Sequence, residues 1–125
     1  MVNFDDTKMD RLHRFVVSRC ILHTPATYKE AATYSGLNRR GRGSGHLSSY
    51  LAELNRRTMS KLDGLLLSSV IVYASRSHAG RPGDQFYDFA RTVNLDPGSN
   101  LTEHEEFWQK QLSGLYQHFD QLIAT

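Results

Sequence analysis

Cysteine is almost missing from this chain of 125 residues, since Cys20 is its only one. A single thiol cannot close a disulfide within the chain or supply a zinc site built from several cysteines. The sequence also lacks an apolar run of about 18 residues, and its first residues do not have the basic start and apolar stretch of a signal peptide. We therefore expect a cytoplasmic protein that makes no use of a membrane.

The remaining composition is that of an ordinary globular domain. Hydrophobic residues make up 39% of the chain and charged residues 22%, and there are six Phe, six Tyr and one Trp. Disordered chains are poorer in such residues. The length suits one domain, and no internal repeat or low-complexity tract divides it. The sequence predicts a single domain over residues 1–125.

The small net charge of +2 conceals an uneven distribution along the chain. Residues 1–83 carry thirteen Lys or Arg against six Asp or Glu, whereas residues 84–125 carry two against seven. The first part therefore has a balance of +7 and the second a balance of −5. An asymmetry of this size indicates a basic working surface joined to an acidic segment.

Apolar spacing and capping residues predict helices in the first half of the chain. Residues 7–23 have a mostly helical apolar period. Thr27 and Glu30 match a capping box that opens a short second helix, which Gly36 ends. Residues 38–45 combine three arginines with three glycines and predict a basic loop, and helical spacing returns over residues 46–58.

Strand and turn signals dominate the middle of the chain. Residues 65–73 form a short apolar, β-branched run that favours a strand, and residues 77–84 predict a projecting loop. Residues 84–93 fit either a helix or a short return strand. A second capping box, from Thr102 to Glu105, predicts a final helix over residues 102–124.

This order of elements is typical of a winged helix, and the predicted fold class is α+β and mostly helical. The winged helix-turn-helix core covers about residues 25–89, with added helices at both ends. In that fold the second helix of the pair enters a nucleic-acid groove and the loop after the strand contacts the flanking backbone. The residues expected to bind nucleic acid, most simply duplex DNA, are Arg39, Arg40, Arg42, Ser44, His46, Ser49, Asn55, Arg56, Arg57, Arg76, His78 and Arg81.

Three short motifs resemble the DNA-binding domain of the O6-alkylguanine-DNA alkyltransferases and alkyltransferase-like proteins, over roughly residues 25–89. They are Thr27-Tyr28-Lys29-Glu30-Ala31-Ala32, then Arg42-Gly43-Ser44-Gly45-His46-Leu47, and, after the apolar strand, Gly80-Arg81-Pro82-Gly83. The resemblance implies that the second helix lies in the minor groove. It also implies that Arg42 fills the gap left by a flipped base.

The resemblance stops at the chemistry of alkyl transfer. The family's Pro-Cys-His-Arg acceptor motif aligns near Leu67-Ser68-Ser69-Val70, where neither cysteine nor histidine is present. Without a thiolate there is no alkyl acceptor. We therefore expect a binding protein and not an enzyme.

Other catalytic or metal motifs are incomplete. The six histidines lack the spacing of metal ligands, so neither a metal nor another cofactor is expected. Ser68 and Ser69 have no nucleophile-elbow motif around them, and serines on the solvent side of a half-buried strand are common. The glycines of residues 41–45 are not followed by the Lys-Ser/Thr pair of a phosphate loop.

The last helix supports an alternative class of function. Its apolar stripe either closes the core over the first helix or forms a homodimer seam or a docking face for a protein partner. In the second case the protein is a stoichiometric binder or inhibitor, for example a mobile-element antagonist of a host nuclease, and the acidic residues of its C-terminal half meet a basic partner. The stripe consists of Trp108, Leu112, Leu115, Phe119 and Leu122.

Overall fold

The computed structural model describes residues 3–38, 46–74 and 80–124. Within them the fold is mostly helical, with a small two-stranded parallel sheet, as expected for the α+β class. The elements are α1 (Asp6–Ile21), β1 (Ala26–Thr27), α2 (Tyr28–Ser35), α3 (Leu47–Thr58), a 3₁₀ helix (Leu67–Val70), β2 (Ile71–Val72), α4 (Asp84–Thr92) and α5 (Leu101–Ala124).

The first two helices begin and end close to the predicted positions. The Asp5 carboxylate accepts a hydrogen bond from the Lys8 amide at 2.9 Å and caps α1. At the start of α2 the capping box is complete: the Thr27 hydroxyl accepts from the Glu30 amide, and the Glu30 carboxylate accepts from the Thr27 amide. Gly36 ends α2 in the left-handed region at φ 75°.

The third helix starts one residue later than predicted because His46 is its cap. The His46 Nδ1 accepts a hydrogen bond from the Ser48 amide at 3.2 Å. Just before the helix, the Leu47 amide donates to the Asn38 carbonyl at 2.7 Å, and Asn38 and His46 form an isolated β-bridge. The two ends of the predicted basic loop are therefore held together at the N-terminus of α3.

The predicted strand over residues 65–73 is wrong for most of its length. Its central part is a fully buried 3₁₀ helix, and only Ile71 and Val72 form a strand. The serines explain the difference, since the Ser69 hydroxyl donates to the Leu66 carbonyl at 2.6 Å and so satisfies the main chain locally. The strand β2 pairs in parallel with β1, so α2 and α3 form the crossover between them.

A short pairing after β2 precedes the fourth helix. The Tyr73 amide donates to the Arg81 carbonyl at 2.8 Å, and the Gly80 amide donates back to the Tyr73 carbonyl at 2.9 Å. These bonds close the base of the connection that contains residues 75–79. Of the two structures predicted for residues 84–93, the helix is the one observed, as α4.

The final helix is capped differently from the prediction. It begins at Leu101, and the Asn100 side chain, not that of Thr102, accepts a hydrogen bond from the Glu103 amide at 2.9 Å. The predicted capping box at Thr102 is therefore wrong by two residues. The Glu103 carboxylate accepts from the Ser99 amide at 3.1 Å and completes the first turn.

One hydrophobic core draws side chains from all five described helices, from the 3₁₀ helix and from both strands. α5 closes it through apolar packing and two polar anchors. Trp108 Nε1 donates to the Ser69 carbonyl at 2.8 Å, and the Gln111 carbonyl oxygen accepts from the Leu66 amide at 2.7 Å. None of the helices in the described ranges is both long and apolar enough to cross a bilayer.

Candidate nucleic-acid interface

The first turns of three helices meet at one side of the molecule. The Ser48 hydroxyl at the start of α3 donates to the Gln85 side chain at the start of α4 at 2.7 Å. The Gly83 amide, which immediately precedes α4, donates to the hydroxyl oxygen of Tyr28, the first residue of α2, at 2.9 Å. Helix N-termini carry partial positive charge, so this side favours anions before side-chain charges are considered.

Aromatic packing fixes the base of the predicted wing to the same side. The wing is the loop that the sequence predicts over residues 77–84. The rings of Tyr28 and Tyr73 lie 4.7 Å apart. A Cβ added at Gly83 would lie 2.6 Å from a ring atom of Tyr73, so a side chain at position 83 does not fit without movement of that ring. The glycine therefore permits the close approach of the chain to Tyr73, which explains one part of the Gly-Arg-Pro-Gly motif.

Half of the predicted nucleic-acid contacts lie outside the described residues. The segments concerned, residues 39–45 and 75–79, leave and re-enter the described fold beside the three helix starts, at Asn38 and His46 and near Tyr73 and Gly80. The residues themselves are Arg39, Arg40, Arg42, Ser44, Arg76 and His78.

Apart from Asn55, the predicted contacts on α3 and Arg81 are at least partly accessible, but several of them already have a partner. His46 and Ser49 are half-buried. Arg56 and Arg57 are exposed and share one carboxylate, that of Glu53, at 3.4 and 2.9 Å. Arg81 lies 3.5 Å from a carboxylate oxygen of Glu105 on α5. Exposed pairs of this kind contribute little to stability, so the arginines can exchange these partners for phosphates.

Asn55 is not on the exposed face of α3, and its assignment to nucleic-acid binding is corrected. Its side chain is only 2% exposed. The amide nitrogen donates to the Ser68 hydroxyl at 2.8 Å, and the amide oxygen accepts from the Ser68 main-chain amide at 3.1 Å. Asn55 therefore joins α3 to the 3₁₀ helix, and helical spacing alone placed it on the wrong side.

Of the two roles predicted for the apolar stripe of α5, closure of the core is the one observed for four of its five members, and their listing as partner-binding residues is corrected. Trp108, Leu112, Leu115 and Phe119 are buried in the core of this chain. They pack against α1 and the 3₁₀ helix, which α5 covers. Leu122 differs, because it is 60% exposed near the end of α5.

A cleft of about 580 Å³ lies between α3 and α4, next to the three helix starts, and the sequence did not reveal it. Apolar rings form one part of its lining and polar groups of α3 and α4 the other. Arg56 lies over the Phe89 ring, 5.3 Å from its centre. The helical spacing of α4 could have indicated the apolar side, but not which partner faces it. The lining includes Phe4, Tyr28, Ser48, Gln85, Phe86 and Phe89.

The thiol of Cys20 and the serines Ser68 and Ser69, considered above as nucleophiles, are all buried. Cys20 is fully buried, and burial raises the pKa of its thiol to about 12, so the thiol is neutral at physiological pH. Ser68 and Ser69 lie in the buried 3₁₀ helix and not on the solvent side of a strand as predicted. Among the described residues, no group of three His, Cys, Asp or Glu side chains is arranged to hold a metal ion.

Comparisons of the chain with protein-family models, with curated proteins and with solved structures found no match.

Proposed function

We propose that this protein binds duplex DNA without catalysing a reaction, through a winged helix in which α3 enters the groove. The observation that carries the proposal is the Ser48–Gln85 hydrogen bond at 2.7 Å. It joins the start of α3 to the start of α4. Ser48 lies two residues after His46, and Gln85 lies five residues after Gly80. Both arginine-containing connections therefore begin and end on the side of the molecule where three helix N-termini meet.

The charges on this side suit a phosphate backbone. Residues 39–57 contain five arginines against the single acid Glu53. Glu53 is shared by Arg56 and Arg57, and the two ion pairs hold both guanidinium groups on the exposed surface of α3. Phosphate contacts fix the register of a protein on DNA, and their number determines how strongly binding depends on salt.

The cleft between α3 and α4 gives the proposal a mechanism. The resemblance to alkyltransferase DNA-binding domains implies a base turned out of the helix, with Arg42 in its place. A cleft of about 580 Å³ beside α3 has room for such a base, and its lining combines the ring of Phe89 with the amide of Gln85. Unstacking a base costs a few kcal/mol, which ring contacts and hydrogen bonds offset.

Fluorescence anisotropy of a labelled DNA duplex tests the proposal. The logarithm of the affinity should fall with the logarithm of salt concentration by about 0.9 per phosphate contacted. The triple variant Arg39→Ala, Arg40→Ala, Arg42→Ala should lose most of the affinity. A control that removes the same charge from α1 and α5, Arg11→Ala with Arg14→Ala and Lys110→Ala, should retain it.

Two results would overturn the proposal. One is the absence of binding to duplex and single-stranded DNA even at about 50 mM salt, where backbone contacts are strong. The other is equal loss of affinity in the two triple variants, since this would indicate attraction by net charge alone. The fluorescence of an aminopurine base in the duplex measures the base-binding step separately. It should rise when the wild type binds, and the rise should be smaller with Phe89→Leu.

A second candidate function, stoichiometric binding of a protein partner or a second copy, is favoured by one observation. Ile21 and Leu22 at the end of α1 and Leu122 and Ile123 at the end of α5 are 40% to 62% exposed. Exposed apolar residues of this size mark contact surfaces when they lie together. Sedimentation at micromolar concentration, compared with that of a Leu22→Ser, Ile123→Ser variant, tests self-association: a single 14.3 kDa species for both proteins would count against a dimer.

A further inference from the structure

A second cleft, of about 480 Å³, lies on a different part of the surface, between α1, α5 and the C-terminal part of α3 with the turn that follows it. Its floor is apolar and belongs to the core: Met9, Leu54, Leu67 and Phe119 are each at most 7% exposed. Clefts of this size with an apolar floor accommodate small molecules.

Three basic side chains from three different elements border this cleft. They are His13 of α1, Lys61 after α3, and His118 of α5. Among the described residues, none of the three takes part in a hydrogen bond or an ion pair, although the His118 ring lies edge-on to Phe119 at 5.1 Å. Lysine donates three hydrogen bonds and histidine up to two, so the border of the cleft offers several uncommitted donors.

The other charged groups of the cleft are largely compensated. Asp10 pairs with Arg14 at 3.1 Å, and Arg57 pairs with Glu53 at 2.9 Å. Asp6 lies in the first turn of α1, where the helix dipole stabilises a carboxylate. Lys61 is therefore the one lysine or arginine side chain on the cleft border that no described residue pairs, and the two histidines add ring N–H donors.

We propose that this cleft binds a small amphipathic anion, with an apolar chain or ring on the floor and one carboxylate, phosphate or sulfonate group at Lys61, His13 and His118. The uncommitted donors of Lys61, His13 and His118 and the apolar floor together select this class of ligand. A neutral hydrocarbon leaves the basic groups unused, and an inorganic anion leaves the floor exposed. The proposed head-group contacts are separate from the proposed DNA contacts, because neither Lys61 nor the two histidines are among the latter; Arg57 borders this cleft and is also a proposed DNA contact.

Calorimetric titration of the DNA-free protein with 1-octanesulfonate tests the proposal. This probe stays anionic at every pH used. Binding should saturate at one site, and shortening the chain should weaken it by about fourfold for each CH₂ removed. Inorganic sulfate, which is the head group alone, and 1-octanol, which lacks the charge, should both bind far more weakly than the complete probe.

Variants assign the binding to this cleft. Lys61→Gln should weaken it by about two- to fivefold, the range for an exposed ion pair. Lys29→Gln on α2 removes the same charge away from the cleft and should change nothing. His13→Ala with His118→Ala removes the ring donors from the same border and should also weaken the binding.

Each of the opposite results would overturn the proposal. These are the absence of saturable binding at millimolar probe, equal affinity for 1-octanol, and unchanged affinity in Lys61→Gln. A dimer in sedimentation that dissociates when the probe is added would also overturn it, since the cleft would then belong to a second copy of the chain. None of these titrations involves DNA, so failure here leaves the proposed function intact, and loss of DNA binding leaves this proposal intact.

Discussion

The hydroxyl oxygen of Tyr28 accepts a hydrogen bond from the main-chain amide of Gly83, 55 residues away in sequence, at a distance of 2.9 Å. Tyr28 is the first residue of α2 and Gly83 immediately precedes α4. The bond therefore ties the helix pair to the base of the predicted wing. Such a bond matters for the position of α4 against α2, because the 2-residue strands β1 and β2 provide few others.

Tyr28→Phe should lower the free energy of unfolding by about 1–3 kcal/mol, because it leaves the Gly83 amide without its acceptor in a partly buried position. Urea unfolding measures the change. Tyr34→Phe is the matched control on the same helix. Its side chain is 55% exposed, so we expect a change of less than about 0.5 kcal/mol. Equal stability of the two variants would mean that the amide finds another partner.

Asn55→Ala should act on stability, because Asn55 makes both of its described hydrogen bonds to Ser68 inside the protein. The loss should be about 2 kcal/mol or more, since a buried hydroxyl and a buried main-chain amide both lose their partner. In the anisotropy titration the folded variant should keep the DNA affinity of the wild type. Ser49→Ala, on the half-buried face of the same helix, should show the reverse: unfolding within about 0.5 kcal/mol of the wild type and altered DNA affinity.

A clear loss of DNA affinity in Asn55→Ala, together with an unchanged free energy of unfolding, would contradict this assignment. It would return Asn55 to the DNA-binding surface where its helical spacing first placed it.

Local signals in the sequence predicted local structure well. The Thr27 capping box and the Gly36 C-cap involve contacts within a few residues, so the residue types at those positions predict them, although the same kind of signal at Thr102 was wrong by two residues. The 3₁₀ helix was missed because, besides the local bond from Ser69 to Leu66, it depends on partners that are distant in sequence: Asn55 binds Ser68, and Trp108 binds the Ser69 carbonyl. The contact between α3 and α4 also joins residues far apart in sequence, since Ser48 and Gln85 are separated by 37 positions. Helical spacing within each segment therefore could not predict the cleft between them.

The start of α5 gives a direct test of the corrected cap. Asn100→Ala should destabilise the protein by about 1 kcal/mol, because the Glu103 amide loses its side-chain acceptor. Thr102→Ala should change stability little, since Thr102 lies within the helix and is exposed. Thermal unfolding of the two variants and the wild type decides between the caps. A larger loss for Thr102→Ala would restore the capping box predicted from the sequence.

Stability should decrease at alkaline pH because burial holds protons on groups that release them more readily in the unfolded chain. Burial raises the pKa of the Cys20 thiol from 9.0 to about 12 and that of the Tyr28 hydroxyl from 10.0 to about 12. The folded state then binds more protons than the unfolded state between these limits. The stabilisation is complete below about pH 9 and is lost progressively as the pH rises towards about 12.

Two variants that leave similar cavities separate the contribution of Cys20 to the alkaline loss of stability from the contributions of other groups. Each group contributes a slope of up to about 1.4 kcal/mol per pH unit once its unfolded form has ionised. Cys20→Ala removes the thiol, so urea unfolding from about pH 8 to pH 10.5 should show a flatter decline than the wild type. Val16→Ala, also in the fully buried part of α1, lowers stability through a similar small cavity but retains the thiol, and its decline should match that of the wild type. Parallel curves for Cys20→Ala and the wild type would mean that the Cys20 thiol does not contribute to the alkaline loss.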